Sequence, residues 1–208
     1  MCKDIIDVNF EDITDVNPND LYTNNDFVID NDILYRCYMK NTVITIPNGV
    51  TKIKKDAFKD IENPKSLRKI VLPNSITEIE EEAFANLENL EEINLPNEIT
   101  KIKHGLFRNC RSLKEINIPE TVTKIEDQAF CCCYNLERIN FPEYIKEIGD
   151  SAFFMCLNLS GKRFNFSNRL KKIGKEAFAH TKAIIFIADN CEIAEDAFLA
   201  CKVIRKEI

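Results

Sequence analysis

The side chains best suited to chemistry in this sequence are those of its nine cysteines. Three of them are consecutive, and thiolates together with imidazoles are ligands that zinc prefers. A thiol or metal-binding protein built on this run is therefore one hypothesis. The run has no second pair at the short fixed spacing of zinc sites, which favours packed thiols over a metal centre. The residues in question are Cys110, Cys131, Cys132, Cys133 and Cys156, with His180 nearby.

A second candidate for chemistry is the hydrolase-like segment Gly149, Asp150 and Ser151. A serine nucleophile requires a base positioned to activate it. His104 and His180 are the only histidines, and both fall at other positions of the repeat described below. The sequence also lacks the motifs of dinucleotide, phosphate-loop and metalloprotease sites. We therefore predict a protein that is not an enzyme, with no catalytic residues, no metal ligands and no cofactor.

The composition is that of an ordinary soluble globular protein. The 208 residues are 45% hydrophobic and 30% charged. No apolar run approaches the roughly 20 residues that a membrane-spanning helix requires. The formal net charge of -6 provides no cationic surface for phosphate backbones or anionic lipid. We therefore expect neither nucleic-acid binding nor membrane insertion.

The negative charge is concentrated at the start of the chain. Residues 1–26 hold seven acidic side chains against Lys3 alone, and the remaining residues carry equal numbers of each sign. We interpret this stretch as a separate acidic segment that is mobile or loosely docked. It contains no run long enough for the apolar core of a signal peptide, so the default expectation is a cytoplasmic, reducing compartment.

An internal repeat organises most of the remaining chain. Its anchor position is proline in five copies and then Ser167 and Ile187, at intervals of 26, 23, 23, 23, 25 and 20 residues. Isoleucine follows every anchor by six residues and phenylalanine follows it by eleven. The unequal last intervals leave the register of residues 160–190 open. The phenylalanines are Phe58, Phe84, Phe107, Phe130, Phe153, Phe178 and Phe198.

Each copy also contains a short strand that ends at the anchor. The residues three and one positions before the anchor are apolar, and alternation along a strand places both on one side. In the third copy they are Ile93 and Leu95; in the last copy the same spacing predicts Ile184 and Phe186 inward and Ile185 outward. A unit of about 23 residues cannot bury these side chains alone, so the units must stack side by side.

Stacking turns each recurring residue into a continuous column through the interior. Isoleucine and phenylalanine supply two such columns. The cysteines three residues after Phe107, Phe130 and Phe153 supply a third, in which the thiol acts as a small apolar side chain. Because Leu87 replaces cysteine in a neighbouring copy, no thiol chemistry is required at this position.

The consensus of the copies, L-x-x-I-x-(I/L)-P-x-x-(I/V)-x-x-I-x-x-x-A-F-x-x-C, resembles the BspA-like leucine-rich repeat, also called the Treponema type. The resemblance covers about residues 44–204. It implies an α/β repeat fold: a right-handed leucine-rich-repeat solenoid of about seven coils, with stacked short parallel strands and short helical or 3-10 turns. It also implies binding of proteins or surface ligands, with the cell surface and adhesion as an alternative to the cytoplasm.

Residues 27–208 divide into three predicted parts. Residues 27–43 resemble the hairpin that opens such arrays, residues 44–204 hold the repeats, and residues 205–208 form the C-terminal edge. An open stack exposes strand edges or apolar rungs at both ends. Because the C-terminal edge provides little cover, end-to-end self-association is one expectation and membership of a larger protein is another.

The outward residues of the strands form the candidate binding site. Asparagine recurs between the inward residues of four copies, and a charged residue recurs two positions earlier. The asparagines could bond to one another and keep the sheet soluble, or they could contact a ligand. We predict that this face binds a protein partner of unknown identity. The predicted binding residues are Lys69, Glu92, Asn94, Glu115, Asn117, Arg138, Asn140, Arg163 and Asn165.

Overall fold

The computed structural model describes residues 22–24, 26–61 and 63–206, so the acidic segment predicted over residues 1–26 lies almost entirely outside the described residues. In chain order the strands are β1 (Tyr22–Asn24), β2 (Phe27–Asp30), β3 (Ile33–Cys37), β4 (Val43–Thr45), β5 (Lys52–Ile53), β6 (Lys69–Val71), β7 (Glu78–Ile79), β8 (Glu92–Ile93), β9 (Lys101–Ile102), β10 (Glu115–Asn117), β11 (Lys124–Ile125), β12 (Arg138–Asn140), β13 (Glu147–Ile148), β14 (Arg163–Asn165), β15 (Lys172–Ile173), β16 (Ile184–Ala188), β17 (Glu192–Ile193) and β18 (Lys202–Lys206).

The chain winds into a solenoid of about seven coils, and each coil contributes strands to two sides of the stack. We call the side formed by β4, β6, β8, β10, β12, β14, β16 and β18 the strand face. The side formed by β5, β7, β9, β11, β13, β15 and β17 is the second face. Strands of successive coils pair in parallel, as Ile116 with Ile139 and Ile125 with Ile148. The predicted solenoid is confirmed.

The phenylalanine column runs through the middle of this stack, as the spacing predicts. Ring centroids of successive coils, from Phe58 to Phe198, lie 5.0–5.9 Å apart. The five central rings are fully buried, and the rings from Phe84 to Phe178 stack with interplanar angles of 8–16°. Each ring therefore packs on the same residue above and below it, which is the arrangement that repetition of one residue type produces.

The third side of each coil is a tight turn around the phenylalanine. The residues two positions before and after it adopt left-handed backbone, with φ of 56° at Gln128 and 61° at Cys132. Left-handed backbone at these positions directs N–H groups of the turn along the stack. Phe107 N–H therefore donates to Ala129 O at 2.8 Å, and Asn109 N–H donates to Cys131 O at 2.9 Å. Local bonds between residues three apart, such as Cys131 N–H to Gln128 O at 3.0 Å, alternate with these inter-coil bonds. The expected helical turns are thus tight turns, and Leu157–Leu159 is the one 3-10 turn among the described residues.

The two ends of the described stack are different. At the front, the antiparallel hairpin of β2 and β3 pairs with β1 on one side and with β5 on the other. At the back, β18 pairs in parallel with β16 over five residues. Val203 in this last strand is 36% exposed. The hairpin at the front thus pairs with a strand of the second face. The last strand at the back belongs to the strand face.

The register predicted for the seventh coil is wrong by one residue. Ile185 and Ile187 are fully buried, whereas Ile184 and Phe186 are half-buried. Pairing of Phe164 with Ile185 sets this register. In most coils the turn after the strand is closed by a hydrogen bond to the carbonyl of the anchor residue. In the seventh coil this carbonyl belongs to Ala188 rather than to Ile187, which agrees with the shifted register. The connection from Phe178 to the strand is shorter than in earlier coils, which moves the whole strand.

Candidate functional site

The nine predicted binding residues all lie along the strand face. The interior holds the alternating apolar residues of the same strands, such as Ile116 and Ile118, each about 1% exposed. Side-chain alternation therefore directs the residues between them outward, as the pattern predicts. Glu92, Glu115 and Arg138 expose 66%, 47% and 56% of their side chains.

The charged residues of this row pair along the stack. Lys69 Nζ lies 2.6 Å from Glu92 Oε1, and Arg138 Nε lies 2.7 Å from Glu115 Oε2. The guanidinium of Arg138 also contacts the carboxylate of Glu137. The hydrogen bond to Glu115 raises the pKa of Arg138 above its usual value. Exposed pairs of this kind contribute about 0–1 kcal/mol each, so their main consequence is to fix where charge lies.

This pairing leaves like charges side by side at two positions. Glu92 and Glu115 occupy neighbouring coils, and so do Arg138 and Arg163. At both positions the backbone ladder is interrupted, because β8 is not hydrogen-bonded to β10 and β12 is not hydrogen-bonded to β14. The strand face is thus divided into three sheets with two openings between them.

Each opening coincides with a depression in the surface. The acidic depression, of about 560 Å³, is lined by the carboxylates of Glu92, Glu115 and Glu120, several asparagines and no cationic side chain. The basic depression, of about 330 Å³, is lined by Lys162 and Arg163 together with the paired Glu115, Glu137 and Arg138. Lys162 and Arg163 form no ion pair with any described residue. The predicted site therefore contains two regions of opposite charge.

The asparagines of the strand face have two different roles. The amide of Asn94 accepts from Leu72 N–H at 3.0 Å and donates to Leu72 O at 2.9 Å. Asn140 binds the backbone of Ile118 in the same way, at 2.8 and 3.0 Å. These amides extend the backbone ladder, and the idea that the asparagines bond to one another is wrong for this face. The side chains of Asn117 and Asn165 make no hydrogen bond with any described residue.

The cysteine column is packed in the interior, as predicted. The thiols of Cys110, Cys133 and Cys156 are fully buried, and each donates to the carbonyl of the phenylalanine one coil before, as Cys133 Sγ does to Phe107 O at 3.1 Å. Burial raises the pKa of Cys110 to about 12. These thiols therefore stay protonated at neutral pH and function as packing groups.

The remaining cysteines of the run lie on the turn side, away from Cys133. Cys131 Sγ and Cys132 Sγ are 3.7 Å apart and half-buried. Burial, with the neighbouring Cys132 as a smaller cause, raises the pKa of Cys131 to about 12. Over the described residues, no cluster of three or more His, Cys, Asp or Glu side chains is arranged to hold a metal ion. The metal-binding alternative gains no support from this geometry.

The hydrolase-like segment belongs to the turn that precedes the phenylalanine. The carboxylate of Asp150 accepts from Lys175 N–H at 2.7 Å, which caps the next coil. A Cβ on Gly149 would lie 2.6 Å from Asp127 N, so only glycine permits the close approach of the two coils. Ser151 Oγ donates to Glu176 Oε2 at 3.5 Å, which is longer than the roughly 2.6–3.2 Å at which a base activates a nucleophile.

Two features of this site were missed by the sequence reasoning. The carboxylate of Glu120 lines the acidic depression although it follows an anchor rather than lying in a strand. The openings themselves were also missed. A signal for them was present, because the charges read from Lys69 to Arg163 along the row change in the order plus, minus, minus, plus, plus. Two pairs of like-charged neighbours are visible in that order.

The chain belongs to the BspA-type leucine-rich repeat family. The profile of the BspA type leucine rich repeat region matches residues 28–160 and 79–205, with six copies. A comparison with curated proteins finds no significant match. Among the described residues, no helix has the length and hydrophobicity needed to cross a bilayer.

Solved structures of bacterial leucine-rich repeat proteins share this fold. A leucine rich cell surface protein from Faecalibacterium prausnitzii is 32% identical with a TM-score of 0.61, over 67% of this chain and 38% of its own. A leucine-rich repeat protein from Bacteroides ovatus is 24% identical with a TM-score of 0.58, over 91% of this chain and 62% of its own. The T. pallidum leucine-rich repeat protein is 20% identical with a TM-score of 0.52, over 87% and 81%. The chain thus spans less than two thirds of the first two proteins.

Proposed function

We propose that this chain is a non-enzymatic protein-interaction module that presents its strand face to a protein partner. The observation that supports this most directly is the pair of depressions at the openings of the strand face, lined by seven of the nine predicted binding residues. The unbonded amide of Asn117 lines both of them. Membership of the leucine-rich repeat family supports a binding role for the exposed surface of the stack.

The second face differs in how its charges are used. Lys52 lies 3.2 Å from Glu78, and Lys124 lies 2.8 Å from Glu147. The second face also has an opening, between β7 and β9, but Lys103 Nζ crosses it to reach Glu78 at 2.6 Å. Beside the opening between β8 and β10 of the strand face, Lys114 Nζ reaches Glu91 Oε2 at 2.7 Å, whereas no ion pair among the described residues crosses the opening between β12 and β14. The opening between β12 and β14 therefore leaves the charges of Lys162 and Arg163 available to a partner, whereas the opening of the second face is bridged.

The test compares one charge reversal on each face. Arg163→Glu alters the strand face and Lys101→Glu alters the second face. The two residues are matched, since each is exposed, forms no ion pair with any described residue and has a like-charged neighbour in the preceding or following coil. We expect immobilised Arg163→Glu protein to recover less of the partner that wild-type protein captures, and Lys101→Glu to recover the same amount. Equal recovery by all three proteins would exclude the strand face.

A surface adhesin-like protein is the second candidate. It is favoured by the Faecalibacterium prausnitzii structure, which is described as a cell surface protein and is 32% identical over 67% of this chain. This candidate predicts that antibodies against the chain label intact cells, and that external protease removes the label. Signal obtained only after cell lysis would reject it while leaving the interaction module intact.

A further inference from the structure

The two depressions of the strand face carry opposite charge and lie at a fixed separation. Together they specify the charges of a partner and the distance between those charges. We propose that the strand face binds an extended segment of polyproline II conformation, with a cationic side chain at one position and an anionic side chain three residues along. The segment crosses the strands and runs along the stack. This inference rests on the proposed function and specifies the partner of the same face.

The acidic depression is suited to the cationic side chain. Its carboxylates come from Glu92, Glu115 and Glu120, and no cationic side chain lines it. Lys69 and Arg138 pair with Glu92 and Glu115 from the far sides. The carboxylates therefore remain accessible from the opening between them, where a lysine or arginine side chain of the partner can donate hydrogen bonds to their free oxygens. The unbonded amide of Asn117 adds a neutral donor and acceptor for the backbone of the segment.

The basic depression is suited to the anionic side chain. Arg138 is held by Glu115 and Glu137, whereas Lys162 and Arg163 form no ion pair among the described residues. Both side chains are exposed, and both line the depression. A carboxylate placed here would gain two cations that have no carboxylate of their own.

The separation of the two openings distinguishes between two extended conformations of the segment. They are two coils apart, and the phenylalanine rings of these successive coils lie 5.0–5.3 Å apart, so the separation is about 10 Å. In polyproline II each residue advances about 3.1 Å and every third side chain returns to the same side, which gives about 9.3 Å between matching positions. A β-strand does not match, because residues three apart point to opposite sides. For an extended segment, spacing and direction together therefore favour polyproline II over a β-strand.

The test uses a fluorescein-labelled, proline-rich peptide of about nine residues with lysine three positions before aspartate. Its binding to the full chain is measured by fluorescence anisotropy at low and high salt. We expect replacement of lysine by glutamine, or of aspartate by asparagine, to weaken binding about three- to fivefold. Moving the aspartate one position closer should weaken binding as much as removing its charge. The preference should shrink as salt rises.

A charge swap in the protein makes the test specific. Arg163→Glu should reverse the charge preference at the aspartate position of the peptide. A peptide with lysine at both positions should then bind more tightly than the lysine-aspartate peptide. Lys101→Glu should leave the ranking of the peptides unchanged. Circular dichroism melts of both variants confirm that the fold is retained. Equal binding of all the peptides, no measurable binding of the lysine-aspartate peptide, or an unchanged ranking with Arg163→Glu would each overturn the proposal.

Failure of this inference is distinguishable from failure of the proposed function. If Arg163→Glu reduces capture of the partner while the peptides show no charge preference, the strand face is a binding site for a partner of another chemistry. If neither capture nor peptide binding depends on Arg163, both proposals are rejected. A preference for lysine and aspartate two residues apart would indicate a β-strand partner and would likewise overturn the polyproline II assignment.

Discussion

The phenylalanine column and the strand face belong to the same coils but follow different rules. In the interior one residue type returns in every coil, and the rings stack at 5.0–5.9 Å from Phe58 to Phe198. On the strand face the charge at a fixed position changes sign from Lys69 to Arg163. An interior residue contacts its own copies above and below, so repetition stabilises it. An exposed residue contacts solvent or a partner, so variation at this position is compatible with the fold.

The largest expected effect comes from breaking the interior column. Phe130→Ala removes a fully buried ring that stacks on Phe107 and Phe153, and it should lower the free energy of unfolding by about 3–5 kcal/mol. Denaturant titration followed by circular dichroism measures this change. The control is Tyr144→Ala, since Tyr144 is 47% exposed and its loss should cost less than about 1 kcal/mol. Equal effects of the two substitutions would contradict the column.

An intermediate effect should separate two asparagines of the strand face. Asn140→Ala removes both hydrogen bonds to the backbone of Ile118, and we expect a loss of about 1–3 kcal/mol in the free energy of unfolding. Asn117→Ala removes no hydrogen bond within the described chain, so its effect should lie within about 0.5 kcal/mol of zero. Thermal melts of the two variants provide the comparison. A larger loss for Asn117→Ala would reverse the roles assigned to these amides.

The smallest expected effect is the pH dependence of the second face, since solvent screens its partly exposed ion pairs to about 0–1 kcal/mol each. Burial of Glu80 opposes ionisation, but its bonds with Lys52, the backbone of Lys55 and Lys54 outweigh burial and lower its pKa to about 2. Because the folded pKa is below the unfolded value of 4.5, this contribution to stability is complete above pH 4.5 and is lost as pH falls toward 2.

Melting temperatures of wild type and Glu80→Gln, measured across this range, check the sign. Wild type should melt higher at neutral pH, and the difference should disappear as pH approaches 2. The strand-face substitution Arg163→Gln changes a residue without an ion pair among the described residues and adds no carboxylate, so it should leave the acid dependence of wild type intact. A difference between wild type and Glu80→Gln that stays constant across the range would contradict the assignment.

The interior was predictable because its side chains repeat, and the prediction failed where that signal was ambiguous. In β16 every residue from Ile184 to Ile187 is apolar, so alternation could not decide which pair points inward. The left-handed turns were also missed, because Gln128, Ser151 and Glu176 are not residues that favour positive φ. Inter-coil hydrogen bonds stabilise that backbone, and such bonds depend on the stacked neighbour rather than on local sequence.

The candidate site was predictable in its residues and not in its shape. Alternation along a strand places Glu92, Asn117 and Arg138 outward whether or not the neighbouring strands pair. Whether two strands pair or separate depends on both coils together. Like charge alone does not decide it, since Lys101 and Lys124 are neighbours on the second face and their strands pair. The depressions therefore become visible only once the coils are stacked.

The most direct test of the account is amide hydrogen exchange of the chain, with and without a partner that the wild-type protein captures. The account predicts that binding slows exchange at residues 92–95 and 115–118, which border the acidic depression, and at residues 162–165 beside the basic depression. Exchange at residues 101–102 and 124–125 of the second face should stay unchanged. Protection confined to the second face, with the strand face exchanging as in the free chain, would contradict the central claim.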